Sequence, residues 1–303
     1  MPLYRRAHRR AVQAGPLPLL AAVQSQKKYP KAFSFEFYPP KTAEGKAKLR
    51  ETWKQLAQLK PRFFSCTYGA GGSTREGTLD TVLEIRAAGH AAAPHISCVA
   101  SSREDIKAQL GRYRSHGIRH VVALRGDLPS GLASLGEFRY ANELVTFIRE
   151  TTGDWFHVEV ACYPEYHPQT RAAADEIRNF KRKVDAGANS AITQYFFSAD
   201  PYFRFIDECD AAGIRVPIVP GIMPIGNFAQ LARFSDACGA EIPRWLRFRL
   251  ESFRDDTASI RALGLDVVTR LCDDLLRAGA PGLHFYTLNQ AGLTSTIWQR
   301  LGL

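Results

Sequence analysis

Short apolar runs alternate with longer amphipathic stretches along almost all of the 303-residue chain. The runs, at residues 33–38, 63–67, 93–99, 120–124, 157–162, 191–196, 216–220 and 283–286, are rich in β-branched and aromatic side chains and read as strands. Between them, segments such as 45–59, 103–116, 175–185 and 201–212 repeat apolar positions at helical spacing. Eight strands alternating with helices predict an α/β protein, a single closed (β/α)8 TIM barrel. A doubly wound open sheet is the alternative, which the even spacing of eight units disfavours. The interval 228–280 is long enough for more than one helix, so extra helices are expected before the last strand. No linker divides the body. Residues 32–303 therefore form one catalytic barrel, preceded by an extension over residues 1–31 that includes a short helix.

Charge alters this picture only at the amino end. The formal net charge is +10, yet residues 1–31 carry seven bases (Arg5, Arg6, Arg9, Arg10, Lys27, Lys28 and Lys31) and no acid. Without them the body holds 33 bases against 30 acids. A basic nucleic-acid-binding protein is thus an alternative that rests on the tail alone, and the balanced body argues against nucleic acid as a partner. The Arg-rich start faintly resembles a targeting leader, but Pro16 and Pro18 interrupt its apolar run, which favours a solvated extension. No apolar run approaches a membrane span. The six cysteines form no C-x-x-C pair, so neither a metal site nor a disulfide framework is expected. Reduced thiols fit a cytoplasmic location.

In a closed parallel barrel, chemistry collects where strands end and βα loops begin. Here those ends carry Glu36, Thr67-Tyr68-Gly69-Ala70, His95, Arg125-Gly126-Asp127, Tyr163 to His167, Thr193-Gln194 and Tyr286 to Asn289. Phe33, Phe35 and Phe37 share one face of the first strand, which places Ser34 and Glu36 on the other. If the phenylalanines lie under the helices, Glu36 points into the lumen. Burial there would raise its pKa and suit it to donate a proton; a structural carboxylate paired with an arginine is the equal alternative. Arg125-Gly126-Asp127 suits a charged ligand or an internal Arg–Asp contact. Asn179, Arg182 and Lys183 share one helix face, either as a solvated basic stripe or as a cradle for a pyrophosphate. The glycines at 69, 71 and 72 lack Rossmann spacing.

Read together, these segments resemble the methylenetetrahydrofolate reductases. The resemblance is carried by Phe33-Ser34-Phe35-Glu36-Phe37-Tyr38-Pro39-Pro40-Lys41, Thr67-Tyr68-Gly69-Ala70, Ala123-Leu124-Arg125-Gly126-Asp127-Leu128-Pro129 and Tyr163-Pro164-Glu165 with His167-Pro168. Lys183 to Asn189, leading to Ile192-Thr193-Gln194, and His284-Phe285-Tyr286-Thr287-Leu288-Asn289 complete it. It implies FAD held without a Rossmann domain by Thr67, Tyr68, Ala70, His95, Arg125, Gly126, Asp127, Tyr140, Ala141, Tyr163, His167, Asn179, Arg182 and Lys183. Glu176 would lie on the adenosine side, where an aspartate is usual. Glu36 matches the general acid, and Asp127 the acid between flavin and folate. Gln194, Gln230, Phe234, Tyr286 and position 290 fall on the substrate side, with Gln290 standing where bacterial relatives often carry arginine. The implied activity is ping-pong hydride transfer from NADH or NADPH through FAD to 5,10-methylenetetrahydrofolate, giving 5-methyltetrahydrofolate, in a homo-oligomer. A flavin-independent reductase of the same fold is the nearest alternative.

Overall fold

The computed structural model describes residues 23–69, 75–127 and 136–303. Ala70 and the first 22 residues of the basic extension, with any short helix there, lie outside the described residues. The elements run β1 (Ala32–Phe37), α1 (Ala43–Ala57), β2 (Phe63–Cys66), α2 (Arg75–Ala87), β3 (Ala92–Ser97), α3 (Arg103–Ser115), β4 (His120–Leu124), α4 (Ala141–Thr152), β5 (His157–Cys162) and α5 (Ala173–Asp185). They continue with β6 (Ser190–Thr193), α6 (Asp200–Ala211), β7 (Ile218–Val219), β8 (Gly221–Ile222), α7 (Phe228–Cys238), α8 (Arg244–Ser252), α9 (Thr257–Ala278), β9 (Gly282–Tyr286) and α10 (Gly292–Arg300).

Neighbouring strands follow chain order from β7 back to β1, and then β9 and β8. All pairs are parallel, which is barrel topology and not the reordered sheet of a doubly wound fold. The expected single seventh strand is two short ones. Pro220 stands between them and offers no N–H to a ladder. The ring nevertheless closes there. Ile218 and Val219 pair with β6, while Gly221 and Ile222 pair with β9. The Pro220 carbonyl still accepts from His284 N at 2.9 Å, and the Gly221 amide donates to Thr193 Oγ1 at 2.9 Å. The long interval before β9 holds three helices, α7 to α9, as the sequence suggested.

Alternation along each strand sorts the side chains. Phe35 and Phe37 are fully buried under the helices, and Phe35 lies 5.8 Å from both Phe285 and Trp298. The lumen takes a smaller apolar set, Phe63, Ala93, Val122 and Ile192, below the polar strand ends. Helix starts are capped as their sequences require. Ser102 and Asp105 form a reciprocal capping box on α3, and Thr42, Asn227 and Asp256 accept first-turn amides on α1, α7 and α9. Residues 23–31 dock beneath the barrel. The Gln26 amide, buried, accepts from Ile218 N at 2.9 Å and reaches the Val216 carbonyl at 3.4 Å. The cysteines carry free thiols, five of them buried. Burial pushes the thiols of Cys66, Cys162 and Cys272 well up, so they stay protonated.

Gly282 opens β9 at φ +130°, directly against Ala32, and a Cβ there would overlap the Ala32 carbonyl. The position combines a left-handed backbone with no room. Gly282→Ala is expected to cost about 2–5 kcal/mol, by strain and overpacking together. Urea denaturation measures it, and a loss under about 1 kcal/mol would show that β1 and β9 can part cheaply.

Candidate active site

Glu36 lies on the lumen side of β1, as alternation required. Its Oε2 faces two imidazoles, His95 Nε2 at 3.3 Å from β3 and His284 Nε2 at 3.4 Å from β9. His284 is fully buried, and its other nitrogen meets Ser34 Oγ at 2.7 Å, fixing the ring. Thr287 Oγ1 donates to the Glu36 carbonyl at 2.6 Å. The environment reverses the expected pKa shift. Burial pushes the carboxyl up, but the charge of His95 and the hydrogen bond from His284 pull it further down, to about 2. Glu36 is an ionised carboxylate between imidazoles, with neither a neutral acid's environment nor an arginine partner.

Around it, the loops bring most of the expected cofactor residues to the carboxyl ends of β2 to β5. Thr67 and Tyr68 follow β2, Arg125, Gly126 and Asp127 follow β4, and Tyr163 and His167 follow β5. Gly126 is required where it is. At φ +88° it packs on Ser97, and an added Cβ would strike that hydroxyl. Tyr68 OH donates to Gln109 Oε1 at 3.3 Å. Tyr140 and Ala141 start α4, and the Tyr140 ring is 59% exposed. Arg125, Arg182 and Lys183 each give a hydrogen bond to a neutral oxygen, on Gln169, Asn179 and Ala161 respectively. The internal Arg125–Asp127 alternative is not seen among the described ion pairs, and Asp127 is exposed. Lys183 is buried, which lowers its ammonium pKa, whereas Asn179 and Arg182 are exposed on α5. Glu176 is buried and already committed. It accepts from His167 N at 3.1 Å and from Thr170 Oγ1 at 2.7 Å, so it shapes the loop that carries His167.

Gln230, Phe234 and Gln290 line one cleft together with Thr287, Leu288 and Arg261. Thr287 joins that cleft to Glu36 through its hydrogen bond. Gln194 falls in a second, smaller hollow with Tyr163 and Glu165, and Tyr286 points into the lumen with its hydroxyl on the Thr193 carbonyl at 2.8 Å. Leu288 and Asn289 take left-handed φ values of 51° and 57° at the cleft edge. The Asn289 side chain pairs with both the amide and the carbonyl of Tyr38, at 3.0 and 2.9 Å, and so holds that costly turn. Sequence reasoning assigned no role to His284, Thr287 or Arg261. For His284 a signal existed: two residues before Tyr286 on one strand, it had to share the lumen face. Arg261 lies on α9, and nothing in its local pattern sets it apart.

A closed parallel barrel with polar and ionisable side chains gathered at the carboxyl ends of its strands has the architecture of a barrel enzyme. The family model for methylenetetrahydrofolate reductase matches residues 21–302. The 5,10-methylenetetrahydrofolate reductase of Escherichia coli K12 is 41% identical over 285 residues, 94% of each chain. The Arabidopsis thaliana protein named methylenetetrahydrofolate reductase (NADH) 1 is 38% identical over 90% of this chain and 48% of its own. Among solved structures, an uncharacterized Clostridium thermocellum protein that binds two copies of 5-methyl-5,6,7,8-tetrahydrofolic acid superposes with a TM-score of 0.64. At 14% identity, over 91% of this chain and 95% of the other, it shows a shared fold. The chain belongs to the methylenetetrahydrofolate reductase family and is an oxidoreductase. No helix among the described residues is long and apolar enough to cross a membrane.

Glu165, in the smaller hollow, behaves opposite to Glu36. Burial raises its carboxyl from 4.5 to about 7, despite a hydrogen bond from Glu241 N at 2.8 Å. The unfolded chain releases this proton near its ordinary value and the folded chain only near pH 7. Stability from this group is therefore lost as pH rises between them. Glu165→Gln cannot ionise, so it should raise Tm relative to the parent more at pH 8 than at pH 4. Equal changes at both pH values would place Glu165 in contact with solvent.

Proposed function

We propose that this chain reduces 5,10-methylenetetrahydrofolate to 5-methyltetrahydrofolate, taking electrons from NADH or NADPH through FAD, with the two substrates using one cleft in turn. The observation that carries this reading is Glu36 held between His95 and His284 beside the Gln230–Phe234–Gln290 cleft. The residues present fit FAD. Among the described residues Arg125, Arg182 and Lys183 form no ion pair with a carboxylate, as a pyrophosphate site requires, and the exposed Tyr140 ring offers a face to a flat heterocycle. Bound FAD would supply hydride transfer. The NADH in the name of the Arabidopsis relative agrees with a nicotinamide donor.

The protein's own part is to orient substrate and deliver a proton. In this reading the proton reaches a substrate nitrogen through Glu36, whose Oε2 lies 3.3–3.4 Å from His95 Nε2 and His284 Nε2, the two groups placed to relay protons to it. Phe234 provides an apolar wall for a flat ring, and Gln230 a polar contact at its edge. Asp127, exposed just after β4, is in this reading the acid between flavin and folate. Gln290 lacks the charge found in many relatives, but Arg261 lines the same cleft and supplies a cation for the substrate's carboxylates.

The purified protein should be yellow with about one FAD per chain, and Glu36→Gln should separate the two halves of turnover. In anaerobic stopped-flow, reduction by NADH needs no acid and should stay near the parent rate. Reoxidation by methylenetetrahydrofolate should slow by roughly 10²–10⁴-fold. Equal slowing of both halves would remove Glu36 as the acid, and a colourless protein that reduces folate would favour the flavin-independent alternative. Arg261→Ala should raise KM for the folate by about 10-fold, the scale of one charge-assisted hydrogen bond, and leave NADH reduction unchanged. An unaltered KM would mean that the folate's carboxylates point elsewhere.

A further inference from the structure

The opposite mouth of the barrel holds a second group of titratable side chains, remote from the strand ends that carry the chemistry. His120 and His157 are the first residues of β4 and β5, paired directly across the two strands, and Glu159 lies one inward-facing position further along β5. All three point inward, and one donor atom from each lies within 4.8 Å of the others. His120 Nε2 is 3.8 Å from Glu159 Oε2, and His157 Nε2 is 4.0 Å from Glu159 Oε1. Among the described residues no other three histidines, cysteines or acids approach so closely.

The hydrogen bonding of this group is incomplete. Ser190 Oγ donates to Glu159 Oε1 at 2.8 Å and meets His157 Nε2 at 2.6 Å. The other carboxylate oxygen, Oε2, has no hydrogen-bond partner, although only 6% of the side chain is exposed. His120 Nε2 has none either, since 3.8 Å is beyond hydrogen-bond reach. Two unsatisfied donor atoms therefore face one another across a gap, one on a buried carboxylate, and such atoms are costly unless something is bound between them. The donor types suit a cation, since an imidazole nitrogen and a carboxylate oxygen both bind metal through a lone pair.

We propose that His120, His157 and Glu159 form a divalent transition-metal site at the amino-terminal mouth of the barrel, with zinc the metal its donors fit. Two imidazoles and a carboxylate are a zinc donor set. Zn–N and Zn–O bonds of about 2.0–2.1 Å set tetrahedral donors roughly 3.3–3.4 Å apart, so the present separations, 3.8 and 4.0 Å to the carboxylate and up to 4.8 Å within the group, need closing by roughly 0.5–1.5 Å. Side-chain rotation provides this. His157, whose side chain is 39% exposed, exchanges its contact with Ser190 for the metal, while Ser190 keeps its bond to Oε1 and fixes the carboxylate. The Phe63 ring, 4.2 Å from that of His120, holds the second imidazole in place. Solvent reaches the group past His157, which leaves an entry path and room for water as a fourth ligand. A metal here ties β4 to β5 at the face where a barrel's residues serve stability, so binding acts on unfolding.

The test uses the full-length protein stripped with EDTA and titrated with Zn²⁺ by calorimetry, with Co²⁺ as a spectroscopic probe. The expected result is about one saturable Zn²⁺ per chain, a Tm raised by several degrees, and visible Co²⁺ bands of a site with nitrogen and oxygen donors. Glu159→Gln and His157→Gln should each weaken Zn²⁺ binding by at least about 10-fold and abolish the Tm shift. If Glu159→Gln does not fold, His157→Gln at the half-exposed edge decides. Anomalous scattering at the zinc edge from crystals of the unaltered protein should place the ion between β4 and β5. No saturable binding, binding unchanged in the folded variants, or a peak elsewhere would each overturn the proposal.

Discussion

Closing a parallel sheet into a ring leaves no strand an outer edge and gives each strand one face under helices and one in the lumen. The lumen is too narrow to solvate what it receives, so each polar residue placed there by alternation must find a partner on a neighbouring strand. In this barrel that requirement does most of the structural selection. Ser34 and Glu36 enter the lumen because Phe33, Phe35 and Phe37 occupy the other face. Once inside, Glu36 meets His284 from the adjacent β9 and His95 from β3, one strand beyond its other neighbour. The helices, the caps and the interrupted seventh strand hold a ring in which these meetings are forced.

That logic also separates what local pattern discloses from what it hides. Strand and helix alternation and the lumen placement of Glu36 follow from periodicity, because burial on one face repeats every two or every 3.6 residues, while the length of the interval before β9 disclosed only that it holds more than one helix. The split at Pro220 was readable in principle, since proline removes a ladder donor. The partners of Glu36 were not readable from periodicity in the same way. Which residues stand opposite it depends on register across the ring, and Ser34 meets His284 because β1 and β9, at opposite ends of the chain, are neighbours. The cysteine spacing that argued against a metal site had no bearing on His120 and Glu159, which register alone places together.

The sign of the Glu36 shift shows the same limit in energetic form. Burial alone raises a carboxyl, and that is all an apolar strand end can suggest. Two imidazoles outweigh it. The group consequently contributes stability above its ordinary value near 4.5, and that contribution is lost as pH falls toward 2. A carboxylate so held is a poor acid alone, but with two imidazoles within 3.4 Å it is placed to relay protons, as the proposed reaction requires. Position could be inferred from sequence; protonation required the neighbours.

Two carboxylates, Glu159 buried and Glu36 partly buried, thus sit near opposite mouths of one lumen, each facing two histidines, and His284 lowers the pKa of both. Their difference lies in how near the imidazoles stand to the carboxylate, 3.3 and 3.4 Å at Glu36 against 3.8 and 4.0 Å at Glu159. At the Glu36 end the imidazole of His284 is anchored by Ser34, and His95 Nε2, though it makes no hydrogen bond, lies only 3.3 Å from the carboxylate, so the groups of this cluster stand closer together. At the Glu159 end Ser190 satisfies one oxygen, while the other faces an imidazole nitrogen too distant to bond it. A proton is too small to bridge that separation, whereas a metal ion draws both donors to about 2 Å. The same residue types therefore favour proton transfer at one end and cation binding at the other, and donor separation decides between them.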